Sequence, residues 1–335
     1  MPRIAVNIVT HDSAARIDGC LAAVFRQTCT DFAVTVVDNA SRDGTLDRLD
    51  RWRERGVRVV ANPENRYYAR AHNQAIRATD GEFVLTLNPD VLLYPDYLAA
   101  VVAAFEQSPA IGSVNGKLLL PPGDLAPTLL DRPPAPETLI DGAGLLLRRS
   151  RRPDLRGNRR PHGASCLAPR PIFGVDGACG AYRRAMLDDV AWPGPDGPEY
   201  FDEDFVIYRE DVDLAWRSQI YGWDSVYTPA ALAYHARTFH VGRGRRAIPA
   251  HLKRHAVKNG WLLLLKNAAI ATLLRDLPFV LPYQLKIAAG LVAVERSSLG
   301  AIPDTLRLLP RALRKCAWIR AHRRRAPTDV RRRFA

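Results

Sequence analysis

Three acidic residues of this sequence lie at positions where their side chains could bind a ligand. Asp38 and Asp90 each come just after a short apolar run, and Asp211 follows Glu210 at the start of a helical pattern. Carboxylates in such places can accept hydrogen bonds, bind a hard cation such as Mg²⁺ or Mn²⁺, or take a proton from a reacting hydroxyl. They can also be structural, because Asp caps turns and stabilises the first turn of helices. The elements that carry these residues decide between the two interpretations.

In the N-terminal part, the spacing of apolar residues alternates between the pattern of buried strands and the pattern of helices. This alternation predicts strands separated by helices. Four apolar runs suited to buried parallel strands occupy residues 4–9, 33–37, 57–61 and 83–87. Helical patterns occupy residues 14–26, 45–55, 68–78 and 95–107. This alternation is typical of βαβ units, so it predicts an α/β fold with a mostly parallel sheet flanked by helices.

Polar side chains follow these predicted strands. Thr10 comes after the first, Asp38 and Asn39 come after the second, and Asn88 and Asp90 come after the fourth. Ligands of parallel sheets bind beyond the carboxyl ends of the strands. We therefore expect these side chains to meet at one edge of the sheet.

The middle of the chain has a different composition. Residues 120–172 are rich in Pro and Arg, which predicts a long, mobile connection around one apolar piece at 145–147. The stretch 174–182 is rich in small residues, so its backbone could approach a ligand closely.

A second ordered stretch is predicted to follow. Carboxylates in a first turn and a glycine at the end predict a helix from Glu210 to Gly222. Two strand-like runs, 225–227 and 230–234, then lead to His235. His235 is either a structural residue at a strand end or a metal ligand.

Charge is distributed unevenly along the chain. Of the net +13, the segment from Arg243 to the end carries +17, with 21 Lys and Arg against 4 Asp and Glu, and the first 242 residues carry −4. The tail also contains Leu, Trp and Phe at helical spacing, which predicts a basic amphipathic helical extension. Such a segment favours a polyanion, and an anionic membrane surface is the interpretation we prefer to a plain solvated helical face.

Cysteine usage and hydropathy bear on location. The five cysteines are odd in number and have no CxxC spacing, which disfavours a disulfide framework and a structural zinc site. The first residues are predicted to form a buried strand and not a signal peptide. Charged residues and prolines interrupt the apolar stretch 261–294, so no spanning helix is expected. These features together predict a cytoplasmic location.

Four motifs in register resemble the family 2 glycosyltransferases. They are VNIVTHDS at 6–13, VVDNASRDGT at 36–45, LTLNPDV at 85–91 and REDVDLAWR at 209–217. The NPD triplet and the stretch NRYYARAHNQAI at 65–76 are most similar to the rhamnosyltransferase branch. The resemblance spans roughly residues 3–240, and it implies the GT-A fold, a Rossmann-like sheet with a nucleotide sugar at its carboxyl edge.

The resemblance also implies roles for individual residues. Asp211 would be the general base that deprotonates the acceptor hydroxyl, with Glu210 in support. Asp90 and His235 would bind Mg²⁺ or Mn²⁺. The residues implied in nucleotide binding are Thr10, Asp38, Asn39, Arg70, Asn73 and Asn88.

The sequence departs from the family pattern at a few positions. Asn88 replaces the first carboxylate of the family's DxD motif, as is usual in the rhamnosyl branch, and implies looser metal binding. His11 and Asp12 replace a common Tyr-Asn pair, and Arg66 replaces a common glycine. The last change lies in a loop that would shape the sugar pocket, so it leaves the donor sugar open.

The resulting hypothesis is an inverting, metal-dependent glycosyltransferase of cell-envelope glycan synthesis. Residues 1–242 would form the catalytic domain, and residues 243–335 a helical region that is peripheral on the inner face of the cell membrane. L-Rhamnose from dTDP-rhamnose is the preferred donor, and a UDP-hexose is the alternative. The acceptor would be a lipid-linked sugar, as is frequent in the family, or a polysaccharide.

Two other classes compete with this hypothesis. A nucleic-acid-binding protein would explain the pI of about 9.9 but leaves the acidic sheet edge unexplained, so no nucleic acid is expected as a partner. A sugar-nucleotide pyrophosphorylase would require a Gly-rich basic loop after the first strand, where the sequence has Thr10, His11 and Asp12.

Overall fold

The computed structural model describes residues 1–237 and 248–335. Its first half contains the predicted alternation of strands and helices. The parallel strands are β1 (Ile4–Thr10), β2 (Phe32–Asn39), β3 (Arg58–Asn62) and β4 (Phe83–Leu87). The helices between them are α1 (Ile17–Val24), α2 (Thr45–Arg53) and α3 (Tyr67–Arg77). The predicted positions of these elements are confirmed, with shifts of a few residues at their ends.

The central sheet extends beyond these four strands. Its further strands are β5 (Val91–Leu93), β6 (Ile111–Leu119), β7 (Ile140–Gly142), β10 (Arg170–Ile172), β11 (Cys179–Arg183) and β14 (Asp224–His235). The order is β10-β14-β6-β11-β4-β1-β2-β3, with β5 paired to β14 and β7 paired to β6. Because β11 runs antiparallel to both β4 and β6, the sheet is mixed on that side.

Three helices accompany this part of the chain: α4 (Tyr97–Glu106), α5 (Arg184–Val190) and α6 (Glu210–Tyr221). The predicted helix start at Glu210 is confirmed, and Gly222 ends α6 with a φ of 96°, a conformation that favours glycine. The strands predicted at 225–227 and 230–234 are one strand, β14, with an irregularity between Tyr227 and Leu232.

The Pro- and Arg-rich stretch 120–172 is more ordered than its composition predicts. It contains β7, the strand pair β8 (Leu145–Leu147) and β9 (Pro153–Leu155), and a 3₁₀ turn, Pro127–Asp131. Ile140, Leu145 and Leu147 are buried in the main hydrophobic cluster. The prediction of a mobile connection was therefore wrong for this segment, because several of its apolar residues are used for packing.

The C-terminal region is helical, as predicted. Its helices are α7 (Ala250–Asn267), α8 (Ile270–Arg275), α9 (Leu277–Ala293), α10 (Ala301–Ala321) and α11 (Pro327–Arg331). The boundary predicted at 242/243 lies outside the described residues. Leu262, Leu263 and Ile319 belong to the same buried cluster as Trp216 of α6. The C-terminal helices therefore pack directly on the α/β part of the chain, residues 1–237.

Buried ion pairs reinforce this contact. Lys266 of α7 donates to Asp213 of α6 at 2.8 Å and also pairs with Asp202. Lys315 of α10 contacts Asp202 at 2.5 Å and Glu199 at 3.0 Å. Removing one member of such a pair typically costs about 3–5 kcal/mol, because the remaining charge is buried without compensation. The network therefore fixes α7 and α10 against the segment that precedes α6.

No single helix in the described ranges is both long and apolar enough to cross a membrane. One pair of helices, Leu277–Ala293 and Arg296–Ala321, meets the length and composition criteria together, with a bend of 111° between them.

Candidate active site

The carboxyl ends of the parallel strands bring several predicted residues to one edge. Thr10 and Asp38 are register partners on β1 and β2. Asn88 and Asp90 follow β4, which pairs with β1 on its other side. The expected meeting of polar side chains at this edge is what the structure shows.

A cavity of about 360 Å³ opens at this edge, next to the start of α6. It is lined by Tyr68, Asn88, Leu155, Asp176, Gly177, Ala178, Ile207, Tyr208, Arg209, Glu210, Asp211, His235, Arg237 and Leu252. The small-residue stretch contributes Gly177 and Ala178, so its predicted position beside a ligand site agrees with the structure. A larger cavity of about 1030 Å³ adjoins it at Leu155 and Arg237 and provides space for an extended substrate.

Asp211 is held in place by backbone donors. The amide of Val212 donates to Oδ1 at 2.7 Å, and the amide of Gly177 donates to Oδ2 at 3.1 Å. Burial and the nearby charge of Asp176 raise the pKa of Asp211 to about 6. Burial and the charge of Asp211 raise the pKa of Glu210 well above its usual range. Near neutral pH, Asp211 can therefore accept a proton, as a general base must.

The segment before this pair has an unusual backbone. Val206, Tyr208 and Arg209 have φ values of 66°, 71° and 69°, a left-handed region that costs non-glycine residues about 1–3 kcal/mol each. Asn259 of α7 stabilises this conformation. Its Nδ2 contacts the carbonyl oxygens of Phe205, Ile207 and Tyr208 at 2.7–2.8 Å. A residue of the C-terminal helices thus orients the segment that leads to Glu210 and Asp211.

His235 and Asp90 meet because of strand register. His235 of β14 is opposite Val91 of β5, so its ring lies beside Asp90, with Nε2 3.5 Å from Oδ1. On its other side, Nδ1 lies 2.8 Å from Asp141 of β7. Burial alone would lower the pKa of His235, but its hydrogen bonds with Asp141 and Asp90 raise it to about 10.

Sequence reasoning missed three charged residues of this cluster. Asp141 pairs with both His235 and Arg237, and Asp176 lies 3.9 Å from Arg237. Burial would raise the pKa of Asp141, but its hydrogen bond with His235 and the charge of Arg237 lower it. Asp176 lies within the small-residue stretch, which could have identified it. Asp141 lies in the Pro-rich segment, where no pattern singled it out.

The residues at this position fit a divalent cation that takes the place of the proton on His235, because a histidine ligand must be neutral. Asp90 and His235 face each other, and Asp141 holds the His235 ring as carboxylates commonly do beside metal ligands. Two buried carboxylate oxygens at the cavity, Oδ2 of Asp176 and Oε2 of Glu210, have no hydrogen-bond partner among residues 1–237 and 248–335. Within the described ranges, no three His, Cys, Asp or Glu residues form a complete metal cage. The donor set therefore suits an ion that shares its coordination with a substrate diphosphate.

The Asp38 cluster lies deeper than a base-binding site would require. Asp38 is fully buried, and its Oδ1 accepts hydrogen bonds from Thr10 at 2.8 Å and Ser41 at 2.5 Å. Its Oδ2 accepts one from the amide of Ser41 at 2.9 Å, so this oxygen retains capacity for one more donor. The prediction that Asp38 and Thr10 bind the base stays a prediction.

Two residues assigned to the nucleotide make hydrogen bonds in the interior. Asn73 is fully buried and makes hydrogen bonds with the backbone of Tyr200 and Phe201 and with Glu203. Asn39 is also buried; it donates to the carbonyl of Tyr67 and accepts from Asn62. The nucleotide-binding roles of Asn73 and Asn39 stay predictions.

The remaining two predicted nucleotide ligands are accessible. Asn88 lines the cavity beside His235. Arg70 projects from α3 with 59% of its side chain exposed, and its Nε lies 3.2 Å from Glu203. Both roles stay predictions.

Comparison with known families identifies the N-terminal part. Residues 5–118 match the model described as "Glycosyl transferase family 2". This range contains the segments around Thr10, Asp38 and Asp90 and ends before α6.

One curated relative extends the similarity further along the chain. It is the N-acetylglucosaminyl-diphospho-decaprenol L-rhamnosyltransferase of Mycobacterium tuberculosis, 29% identical over 268 residues, or 75% of this chain and 81% of the relative. A glycosyltransferase of phenolic glycolipid (PGL/p-HBAD) biosynthesis from Mycobacterium bovis is 33% identical over 106 residues, which is 31% of this chain and 41% of the relative.

Solved structures share the fold. The mannosyltransferase PcManGT of Pyrobaculum calidifontis, in complex with GDP-Man and Mn²⁺, matches with a TM-score of 0.52 and 20% identity over 96% of this chain and 86% of its own. Staphylococcus aureus TarS 1–349, in complex with UDP-GlcNAc, matches with a TM-score of 0.57 and 16% identity over 98% of this chain and 89% of its own. Residues 5–118 thus match the glycosyl transferase family 2 model, the chain has the GT-A fold, and these similarities together support a glycosyltransferase activity.

Proposed function

We propose that this chain transfers L-rhamnose from dTDP-rhamnose to a hydroxyl of a lipid-linked acceptor, with inversion at the anomeric carbon. The observation that carries the proposal is that Asp211 and His235, the latter in contact with Asp90, line one cavity at the carboxyl edge of the sheet. The rhamnosyl donor and the lipid-linked acceptor are suggested by the relative from Mycobacterium tuberculosis, whose name includes both.

Asp211 supplies the base of this reaction. Its carboxylate is fixed by the amides of Val212 and Gly177, which leaves lone pairs on both oxygens for an acceptor hydroxyl. A base must be substantially deprotonated yet basic enough to take a proton, and a pKa of about 6 meets both demands near neutral pH. A base opposite the leaving group gives a single displacement, which inverts the configuration.

The nucleotide-sugar donor binds on the side of the cavity where Asp90, His235 and Asn88 lie. A divalent cation held there by Asp90 and His235 would supply neutralisation of the charge that develops on the leaving diphosphate. Asp141 keeps the His235 ring oriented toward Asp90. Arg237 lies at the same cavity and balances part of the negative charge of Asp141 and Asp176.

Exposed apolar side chains support a membrane-bound acceptor. Thirteen of the sixteen exposed large hydrophobic side chains in the described part lie between residues 270 and 318. Basic residues with exposed side chains lie among them: Arg275, Lys286, Arg296, Arg307 and Arg314. Apolar residues next to a basic rim are typical of helices that lie in the interface of an anionic membrane. We therefore place the chain on the cytoplasmic face of the cell membrane.

Not all of the basic tail is available for a polyanion. Six of its cations pair with carboxylates between residues 189 and 224: Lys266, Arg311, Lys315, Arg324, Arg325 and Arg333. Much of the +17 therefore neutralises the acidic body, which weakens the electrostatic argument for nucleic-acid binding.

A donor panel tests the proposal. Purified protein is incubated with dTDP-rhamnose, UDP-hexoses and GDP-mannose, with Mn²⁺, Mg²⁺ or EDTA, and a lipid-linked N-acetylglucosamine acceptor. Product is detected by mass, and its anomeric configuration by nuclear magnetic resonance. We expect transfer from dTDP-rhamnose that EDTA abolishes. Transfer from a UDP-hexose alone would reassign the donor, and a product that retains the donor's configuration would refute the single displacement.

A further inference from the structure

A groove of about 360 Å³ lies between α7 and α9, on the other side of Arg209 from the catalytic cavity. Its apolar walls are formed by Val257, Trp261, Leu264, Ile287, Leu291 and Val294. A volume of this size is within the range of small-molecule sites, roughly 300–1,000 Å³. None of the steps described for sugar transfer uses this groove.

Arg209 connects the groove to the reaction centre. It lines both the groove and the catalytic cavity, and Glu210 and Asp211 follow it directly in the chain. Its guanidinium lies against the backbone of α7, because a β-carbon at Gly260 would be 3.1 Å from Nη1. A cationic group is thus placed at the boundary between an apolar channel and the base.

The helix that covers the groove is apolar on both of its long faces. Ile287 and Leu291 line the groove, whereas Leu281, Leu285 and Val292 of the same helix are 49%, 59% and 60% exposed. The exposed residues repeat at the spacing of one helix face. A lipid chain that leaves a membrane in contact with this outer face would reach the groove by passing around α9.

We propose that this groove binds the phosphate-proximal isoprenoid of the acceptor, with the acceptor's diphosphate beside Arg209. The inference rests on the lipid-linked acceptor of the proposed function and adds where that lipid is bound. The apolar lining with a guanidinium at its inner end complements an amphiphile whose chain is apolar and whose head is an anion. The groove is also lined by Arg151 and Lys286, whose positive charges favour an anionic head group.

Binding of farnesyl diphosphate, without any donor, tests the groove directly. Gly290 lines the groove, and a β-carbon there meets no atom within 4 Å, so Gly290→Phe adds a bulky side chain at the groove from a backbone position with open space beside it. Ala289→Phe is the matched control, because Ala289 is exposed and does not line the groove. Affinities are measured by calorimetry, with circular dichroism and dTDP binding as checks of folding.

We expect Gly290→Phe to weaken farnesyl diphosphate binding by about tenfold or more and Ala289→Phe to leave it unchanged. Arg209→Gln should reduce the preference of the protein for farnesyl diphosphate over farnesol. Equal binding by Gly290→Phe and Ala289→Phe, or no binding by the wild type, would overturn the groove assignment. Equal wild-type affinity for farnesol would refute the phosphate contact. These results are independent of the donor panel. If the protein transfers rhamnose yet fails this test, the proposed function stands and only the assignment of the groove to the isoprenoid is refuted.

Discussion

The side-chain amide of Asn259 donates a 2.7 Å hydrogen bond to the carbonyl oxygen of Tyr208, two residues before Glu210. Asn259 belongs to α7, whereas Tyr208 belongs to the strained segment that positions the base. The C-terminal helices therefore contribute to the geometry of the catalytic site as well as to the surface of the molecule.

Replacing Asn259 should impair catalysis more than donor binding. Asn259→Ala removes the donor that contacts three carbonyl oxygens, so the left-handed residues Tyr208 and Arg209 can relax and displace Asp211. We expect kcat to fall by on the order of 10²-fold, with little change in the KM for the donor. Steady-state kinetics measure both values, and His251→Ala on the exposed side of α7 is the control. An unchanged kcat would show that the segment keeps its conformation without Asn259.

The pH dependence of turnover should reflect Asp211. Its raised pKa of about 6 means that the carboxylate is protonated and inactive as a base below this pH and deprotonated above it. Turnover should therefore rise as pH increases from about 5 to 7, and level off above. The measurement is kcat against pH at saturating substrates and metal. A profile that is flat across this range would argue against Asp211 as the base.

Asp141 should matter for metal binding although no sequence motif includes it. Asp141→Asn weakens the acceptor that holds Nδ1 of His235 at 2.8 Å and reduces the charge at the site. Loss of such an outer partner typically costs about 10–100-fold in metal affinity or activity. The Mn²⁺ concentration that gives half-maximal activity should increase accordingly. Asp154→Asn, which affects an ion pair with Arg148 and a hydrogen bond from the amide of Leu155, is the matched control and should leave this concentration unchanged.

Membrane association should depend on the exposed face of α9. Replacing Leu285 and Val292 with Ser removes apolar side chains that are 59% and 60% exposed, so flotation with anionic phosphatidylglycerol vesicles should decrease strongly. Leu167→Ser, at an exposed apolar residue far along the chain from these helices, is the control. Equal flotation of both variants would place the membrane contact elsewhere.

Local patterns predicted most of the fold. The strands β1 to β4 and the helices α1 to α3 follow from apolar periodicity, because the spacing of apolar residues within each segment matches the period of its element. The motif positions of Asp90 and Asp211 also led to the cavity. His235 was uncertain because its proximity to Asp90 depends on the pairing of β14 with β5, whose residues are distant in sequence.

The residues that sequence reasoning missed depend on long-range packing. Asp141 reaches His235 only because β7 and β14 both pair with β6. Asn259 reaches Tyr208 only because α7 packs on the segment before α6. The interior hydrogen bonds of Asn73 were not predicted for the same reason, since its partners are more than a hundred residues away in sequence. Such contacts leave no periodic signal in one sequence.

The most direct test of the central claim compares the wild type with Asp211→Asn in rhamnose transfer from dTDP-rhamnose to a lipid-linked acceptor. Asn keeps the shape of the side chain but cannot take a proton, so we expect kcat to fall by about 10²–10⁴-fold while dTDP binding is retained. Asp47→Asn, at an exposed position on α2, should behave as the wild type. Retention of near wild-type turnover by Asp211→Asn would contradict the account.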